Sequence, residues 1–194
     1  MASREIVLFH SALGLRPGVR DFAARLRQRG HTVHTPDLFD GEVFDDLAAG
    51  ARKRDALGIP ALIQRATAAV ADLRADLVYA GFSMGSAAAA VLAGTRPGAR
   101  GLVMMHGALP PRALGVEAWP ATVPVQVHHA ERDPSVDADS VRGLEQAVRA
   151  AGARCEAFVY PGRGHLFADP DLPDYDEASA RTMLDRVAAF VASV

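Results

Sequence analysis

Residues 79–90 read YAGFSMGSAAAA. An apolar, β-prone run gives way there to an alanine block, Ala87 to Ala90, of high helical propensity. Between the two stands Ser83, with Gly81 and Gly85 on either side. A chain that passes from strand to helix within so few residues must turn sharply, and only glycines at plus and minus two leave room for the turn. A serine in that context, strand before and helix after, has the layout of a nucleophile elbow, which exposes a hydroxyl at the end of a sheet. A plain Gly-rich turn has the same local composition, so the chemical reading depends on partners elsewhere in the chain.

Working outward, the same change of period recurs. Short β-rich runs, EIVLFH (5–10), HTVHTPD (31–37), DLVYAGFS (76–83), RGLVMMHG (100–107), VPVQVHHA (123–130) and CEAFVYP (155–161), are separated by segments with helical spacing. That order predicts an α/β fold: a mostly parallel sheet flanked by helices on both faces, forming a single domain over residues 1–194. Val19, Phe22 and Leu26 follow Pro17 at helix spacing, with Gly30 as the stop. Near the other end Asp174 and Glu177 have capping-box spacing ahead of the apolar stripe Met183, Leu184, Val187, Phe190 and Val191.

The 194 residues are 49% hydrophobic, enough for a sizeable core, and 21 basic against 23 acidic residues leave a net charge of −2. The two signs are interspersed, which argues against a nucleic-acid or membrane-surface partner. The longest apolar runs fall well short of the roughly 20 residues of a membrane span. MASREIVLFH leads straight into a strand without a signal-peptide layout, so a cytoplasmic location is expected. The single cysteine, Cys155, excludes an internal disulfide and a multi-cysteine metal site, and reads as a small buried strand residue. His128 and His129 are adjacent in a strand and point to opposite faces, so they do not share a metal, and none is expected. His31 and His34 flank a strand start and read as surface or core residues. Oligomeric state is not legible.

A serine hydroxyl becomes a nucleophile when a base takes its proton, and the base needs a carboxylate to orient it. After an elbow the expected chain order is Ser, Asp or Glu, then His. Asp133 lies in the turn after the fifth run, with Glu131 and Asp137 as competing carboxylates. Asp137 is also placed to cap the following helix. His165 lies late, after the sixth run, between a glycine and an apolar residue. The backbone N–H of Met84 and that of Ala12, in the loop after the first strand, are the candidate oxyanion donors.

These blocks together, LFHSALGL, HTPDLFDG, YAGFSMG, HHAERDP and YPGRGHLF, resemble the dienelactone hydrolase family of α/β-hydrolases along nearly the whole chain. The resemblance implies a compact, lidless α/β-hydrolase with Ser83, Asp133 and His165 as nucleophile, acid and base. Two departures stand out. Founding members of the family carry cysteine at the elbow and a glutamate in the first-strand loop, where this chain has Ser83 and Ser11. They also hold a substrate carboxylate with arginines, and Asp169 stands here where one would be expected after His165. About fifteen residues between MMHG and VPVQV leave no room for an inserted cap. Ser11, Phe44, Trp119 and Phe167 are candidate pocket residues, and the basic run Arg52, Lys53 and Arg54 reads as a solvated face with a possible pull on an anionic substrate. The expected function is a cofactor-free serine hydrolase of small carboxylic esters, lactones or thioesters. The alternatives are amide or peptide cleavage by the same groups, and a non-catalytic ligand-binding protein on the same fold.

Overall fold

A computed structural model describes residues 3–194. Among the described residues six strands, β1 (Glu5–Phe9), β2 (Thr32–His34), β3 (Val78–Phe82), β4 (Gly101–Met105), β5 (Val125–Ala130) and β6 (Cys155–Tyr160), form one sheet. Its order is β2-β1-β3-β4-β5-β6, and every neighbouring pair is parallel. The chain steps outward from β1 to β2, then returns to the other side of β1 as β3. The reversal opens a crevice at the carboxyl ends of β1 and β3, where open α/β sheets bind ligands.

Six helices within the described residues cover the sheet: α1 (Pro17–Gln28), α2 (Leu47–Leu57), α3 (Ile59–Ala69), α4 (Met84–Thr95), α5 (Ala138–Ala150) and α6 (Glu177–Ser193). Strand alternation splits the apolar residues between two cores. Ile6, Leu8, Val78, Ala80, Val103 and Met105 face α1 and α6, meeting Val19, Phe22, Leu26, Met183, Val187 and Phe190. Val7, Phe9, Tyr79, Leu102, Met104, Val125 and Val127 face the other side, against Leu62, Ala88, Ala89, Leu92, Val141 and Leu144. Truncating a side chain such as Phe190, 3% exposed in the first core, to alanine costs about 3–5 kcal/mol. The alanine block lets α4 lie close beneath β3 and β4. Between β4 and β5 the chain carries only a 3-10 turn, Pro111–Leu114, and no inserted domain. Among the described residues no helix is long and apolar enough to cross a membrane.

One expectation about helix boundaries is corrected. The cap of α6 is Asp176, whose carboxylate accepts from the Ser179 N–H. Asp174 is drawn away because its Oδ2 accepts the backbone N–H of His165 at 3.0 Å.

Within β5, His128 is fully buried, its Nε2 donating to Gln126 Oε1 and its Nδ1 accepting from the Tyr160 hydroxyl, each at 2.8 Å. Burial, with Arg186 and His129 adding to it, pushes this imidazole from 6.5 down to about 3. Between those values the unfolded chain binds a proton that the folded one refuses. The stabilisation from neutral His128 is therefore complete above pH 6.5 and is lost as pH falls below it. The urea unfolding free energy should fall between pH 7 and pH 4.5, and His128→Gln should flatten that slope by up to about 1.4 kcal/mol per pH unit. An unchanged slope in the variant would remove His128 from the account.

Candidate active site

Ser83 caps α4 with φ 51° and ψ −113°, a region that costs a non-glycine residue about 1–3 kcal/mol. The neighbouring backbone enforces it. A Cβ on Gly81 would lie 2.2 Å from the carbonyl of Gly85, and a Cβ on Gly85 would lie 2.5 Å from the carbonyl oxygen of His10. Ser86 ties the turn from behind, its Oγ donating to the Gly81 carbonyl at 2.7 Å. The Ser83 N–H donates to Met105 O, and the His106 N–H to His128 O, each at 2.7 Å. Strand ends β3, β4 and β5 are thus stapled in sequence.

Around this hydroxyl the folded chain gathers the two downstream loops. Ser83 Oγ lies 2.8 Å from His165 Nε2. His165 Nδ1 lies 2.9 Å from both carboxylate oxygens of Asp133. With Nδ1–H directed at the carboxylate, Nε2 is left to accept from the serine. Both side chains are almost wholly buried. Asp133 Oδ1 also accepts the Ser135 N–H at 2.8 Å, closing the turn that presents it. The competing carboxylates lie elsewhere: Glu131 is exposed, and Asp137 caps α5 by accepting the Ser140 N–H. A hydroxyl, an imidazole and a carboxylate in this chain can pass a proton out of the hydroxyl and hold the resulting imidazolium in place.

Met84 is the first residue of α4, so its N–H has no intrahelical acceptor. Ala12 lines the same cleft. The loop carrying Ala12 is positioned by His10, wholly buried at the end of β1. Leu38 donates its N–H to His10 Nε2 at 2.9 Å, so Nδ1 carries the proton and donates to Ser11 O at 2.7 Å. Burial lowers the pKa of His10 against the weaker pull of the Ser11 carbonyl and Asp37, keeping this cross-link neutral. Helix α2 docks on the loop through Gly50, where an added Cβ would lie 2.1 Å from Ala12 O.

The cleft at Ser83 encloses about 530 Å³, and its walls are not the aromatic ones expected from sequence. Leu47, Ile59, Met84, Met104 and Leu109 line it, with Arg54 and Asp55 at one side. Trp119 is instead a core residue on the far side of α4, its indole N–H donating to Val123 O at 2.8 Å. Phe44 packs edge-on against Phe39. Phe167 lies beneath the site, 4.5 Å from the His106 ring and 4.9 Å from that of Tyr160. Ser11 accepts the Leu13 N–H and borders a small void of about 10 Å³ behind the cleft. In the basic run, Lys53 pairs with Glu42 and Arg54 with Asp55.

His106, at the end of β4, is the partition between cleft and void. Its φ is 59°, and it stacks on Phe82 with its ring 6.3 Å from that of His165. Neither ring nitrogen has a protein partner. Burial, then the neighbouring imidazoles His165, His128 and His129, hold its pKa well below 6.5. The sequence signal for His10 and His106 was their place at strand carboxyl ends, in LFHS and MMHG. Cys155 is buried, and burial together with Glu145 pushes its thiol up to about 12. Among the described residues no group of three or more His, Cys, Asp or Glu side chains could hold a metal ion.

A dienelactone hydrolase family model matches residues 2–194. The chain is 29% identical over 178 residues to the carboxymethylenebutenolidase of Rhodococcus opacus, covering 84% of this chain and 69% of that protein. Among solved structures, a dienelactone hydrolase-like promiscuous phosphotriesterase from metagenomic libraries matches with a TM-score of 0.82 at 23% identity, over 98% of this chain and 86% of that one. The hyperthermophilic esterase of the archaeon Pyrobaculum calidifontis matches with a TM-score of 0.69 at 19% identity, over 100% and 78%. At such identities the structures speak for the fold alone.

Because the atoms facing Gly85 are main-chain carbonyls, they cannot yield to a methyl group. Gly85→Ala should lower the melting temperature by at least about 5 °C. A melting curve identical to that of the unaltered protein would contradict the elbow packing.

Proposed function

The chain belongs to the dienelactone hydrolase family, and from that premise we propose that it is a serine hydrolase that cleaves small carboxylic esters, lactones or thioesters through an acyl-enzyme. Family membership makes it a hydrolase of ester or lactone substrates. The finer assignment rests on one observation, the unbroken hydrogen-bond chain from Ser83 Oγ through His165 to Asp133.

In the proposed reaction Ser83 Oγ attacks the carbonyl carbon as its proton passes to His165 Nε2. The carbonyl oxygen gains the negative charge and faces the N–H groups of Met84 and Ala12, each such donor being worth about 2.7–4 kcal/mol in the transition state. Collapse breaks the bond to the leaving oxygen or sulfur, which takes the proton from His165. Water then enters, His165 removes its proton, and the hydroxide equivalent attacks the acyl carbon. The acid leaves and Ser83 recovers its proton. Throughout, Asp133 keeps Nδ1 protonated and stabilises the transient imidazolium. The strain stored at Ser83 favours this reading over a ligand-binding protein, because binding alone requires no serine held at φ 51° against an imidazole.

His165→Ala should cut kcat on p-nitrophenyl butyrate by about a hundredfold or more, with the protein still folded by circular dichroism. A fluorophosphonate probe should label Ser83 in the unaltered protein and fail to label Ser83→Ala. Full turnover in His165→Ala, or an unlabelled Ser83, would overturn the proposal.

A further inference from the structure

We infer that the acyl group this cleft accepts is neutral and aliphatic, seated on Leu47, Ile59, Met84 and Leu109, and that the enzyme discriminates against acyl chains ending in a carboxylate. The inference rests on the hydrolase reading above and adds the substrate class to it.

The first support is where exposed apolar surface gathers. Of the six large hydrophobic side chains left exposed among the described residues, Leu47 at 38%, Ile59 at 49% and Leu109 at 40% all rim the cleft at Ser83. Apolar side chains clustered around a concavity mark a ligand groove rather than ordinary surface scatter. Below them Met84 and Met104 supply an unbranched, adaptable floor that fits a flexible chain.

Polarity of the reaction sets which part of the substrate lies there. The leaving group must receive its proton from His165, so it occupies the side of the cleft built by the loops after β5 and β6. The acyl chain then extends the other way, over Met84 toward the start of α3 and the end of β4.

Charge gives the third support. Among the described residues lining the cleft, the formal charges belong to Arg54 and Asp55, and these neutralise each other, Arg54 Nε donating to Asp55 Oδ1 at 2.8 Å. The nearby Arg16 is committed to Asp45, the Phe44 carbonyl and Asp169. A carboxylate on the acyl chain would therefore meet a guanidinium already paired with Asp55, and would have to leave water for an apolar wall.

Initial rates on p-nitrophenyl acetate, butyrate and pentanoate, and on p-nitrophenyl hydrogen glutarate, the pentanoate analogue with a terminal carboxylate, test this. The expected kcat/KM rises about two- to fourfold per methylene up to pentanoate, with glutarate at least about tenfold below pentanoate. Ile59→Ser should lower the pentanoate-to-acetate ratio about fivefold, chiefly through KM. Asp55→Asn, by freeing Arg54, should raise the glutarate-to-pentanoate ratio several-fold. A flat chain-length series, or glutarate preferred over pentanoate, overturns the inference while Ser83-dependent turnover leaves the hydrolase reading standing. Failure to cleave any of the four esters overturns both.

Discussion

A methyl group cannot be added to Gly81 or Gly85 without striking main-chain atoms at 2.2 and 2.5 Å, and that close approach of β1, β3 and α4 forces Ser83 to φ 51°. The turn has no slack to relax into. Its hydroxyl therefore projects beyond the carboxyl end of the sheet at a fixed point, and the loops after β5 and β6 need only reach that point. Because β3, β4 and β5 are stapled end to end through the Ser83 and His106 amides, the loop carrying Asp133 inherits the same reference frame. A hydrogen bond of 2.8 Å across 82 residues of sequence is the outcome of that shared frame.

Electrostatically the surroundings are kept quiet. His10, His106 and His128 are all buried and all have pKa values lowered by desolvation, so they remain neutral as folded residues at neutral pH. His10 uses its neutral tautomer to bind two backbone segments at once, and His128 links β5 to β6. His106 has no such partners. It stands with a strained backbone and unpaired ring nitrogens beside the Ser83 hydroxyl, and such costs are tolerated where the surrounding fold over-determines a site.

Much of this was legible before folding. Apolar periodicity placed all six strands, and the glycine-flanked serine followed in order by Asp133 and His165 pointed to the three side chains that the fold brings together. These are local signals: a strand-to-helix turn and two polar turns at strand ends. The cleft walls were not legible, because α2 presents little apolar asymmetry and its Leu47, like Ile59 and Leu109, looks in sequence like ordinary exposed surface. Ring size drew attention to Phe44, Trp119 and Phe167, yet large aromatic side chains are the ones most readily absorbed by cores, as the Trp119 bond to Val123 O shows. Asp174 misled for a related reason: its spacing to Glu177 suits a helix cap, and only the tertiary fold reveals that the His165 amide has claimed it.

The cleft divides along a line through Ser83. On one side stand the buried Asp133 and His165, whose replacement would disturb packing and hydrogen bonds together. On the other stand Leu47, Ile59 and Leu109, each more than a third exposed, where substitutions typically change stability by no more than about 0.5 kcal/mol. If these exposed side chains seat the acyl chain, as proposed above, substrate range is free to drift over generations, since they are not the residues that hold the protein together.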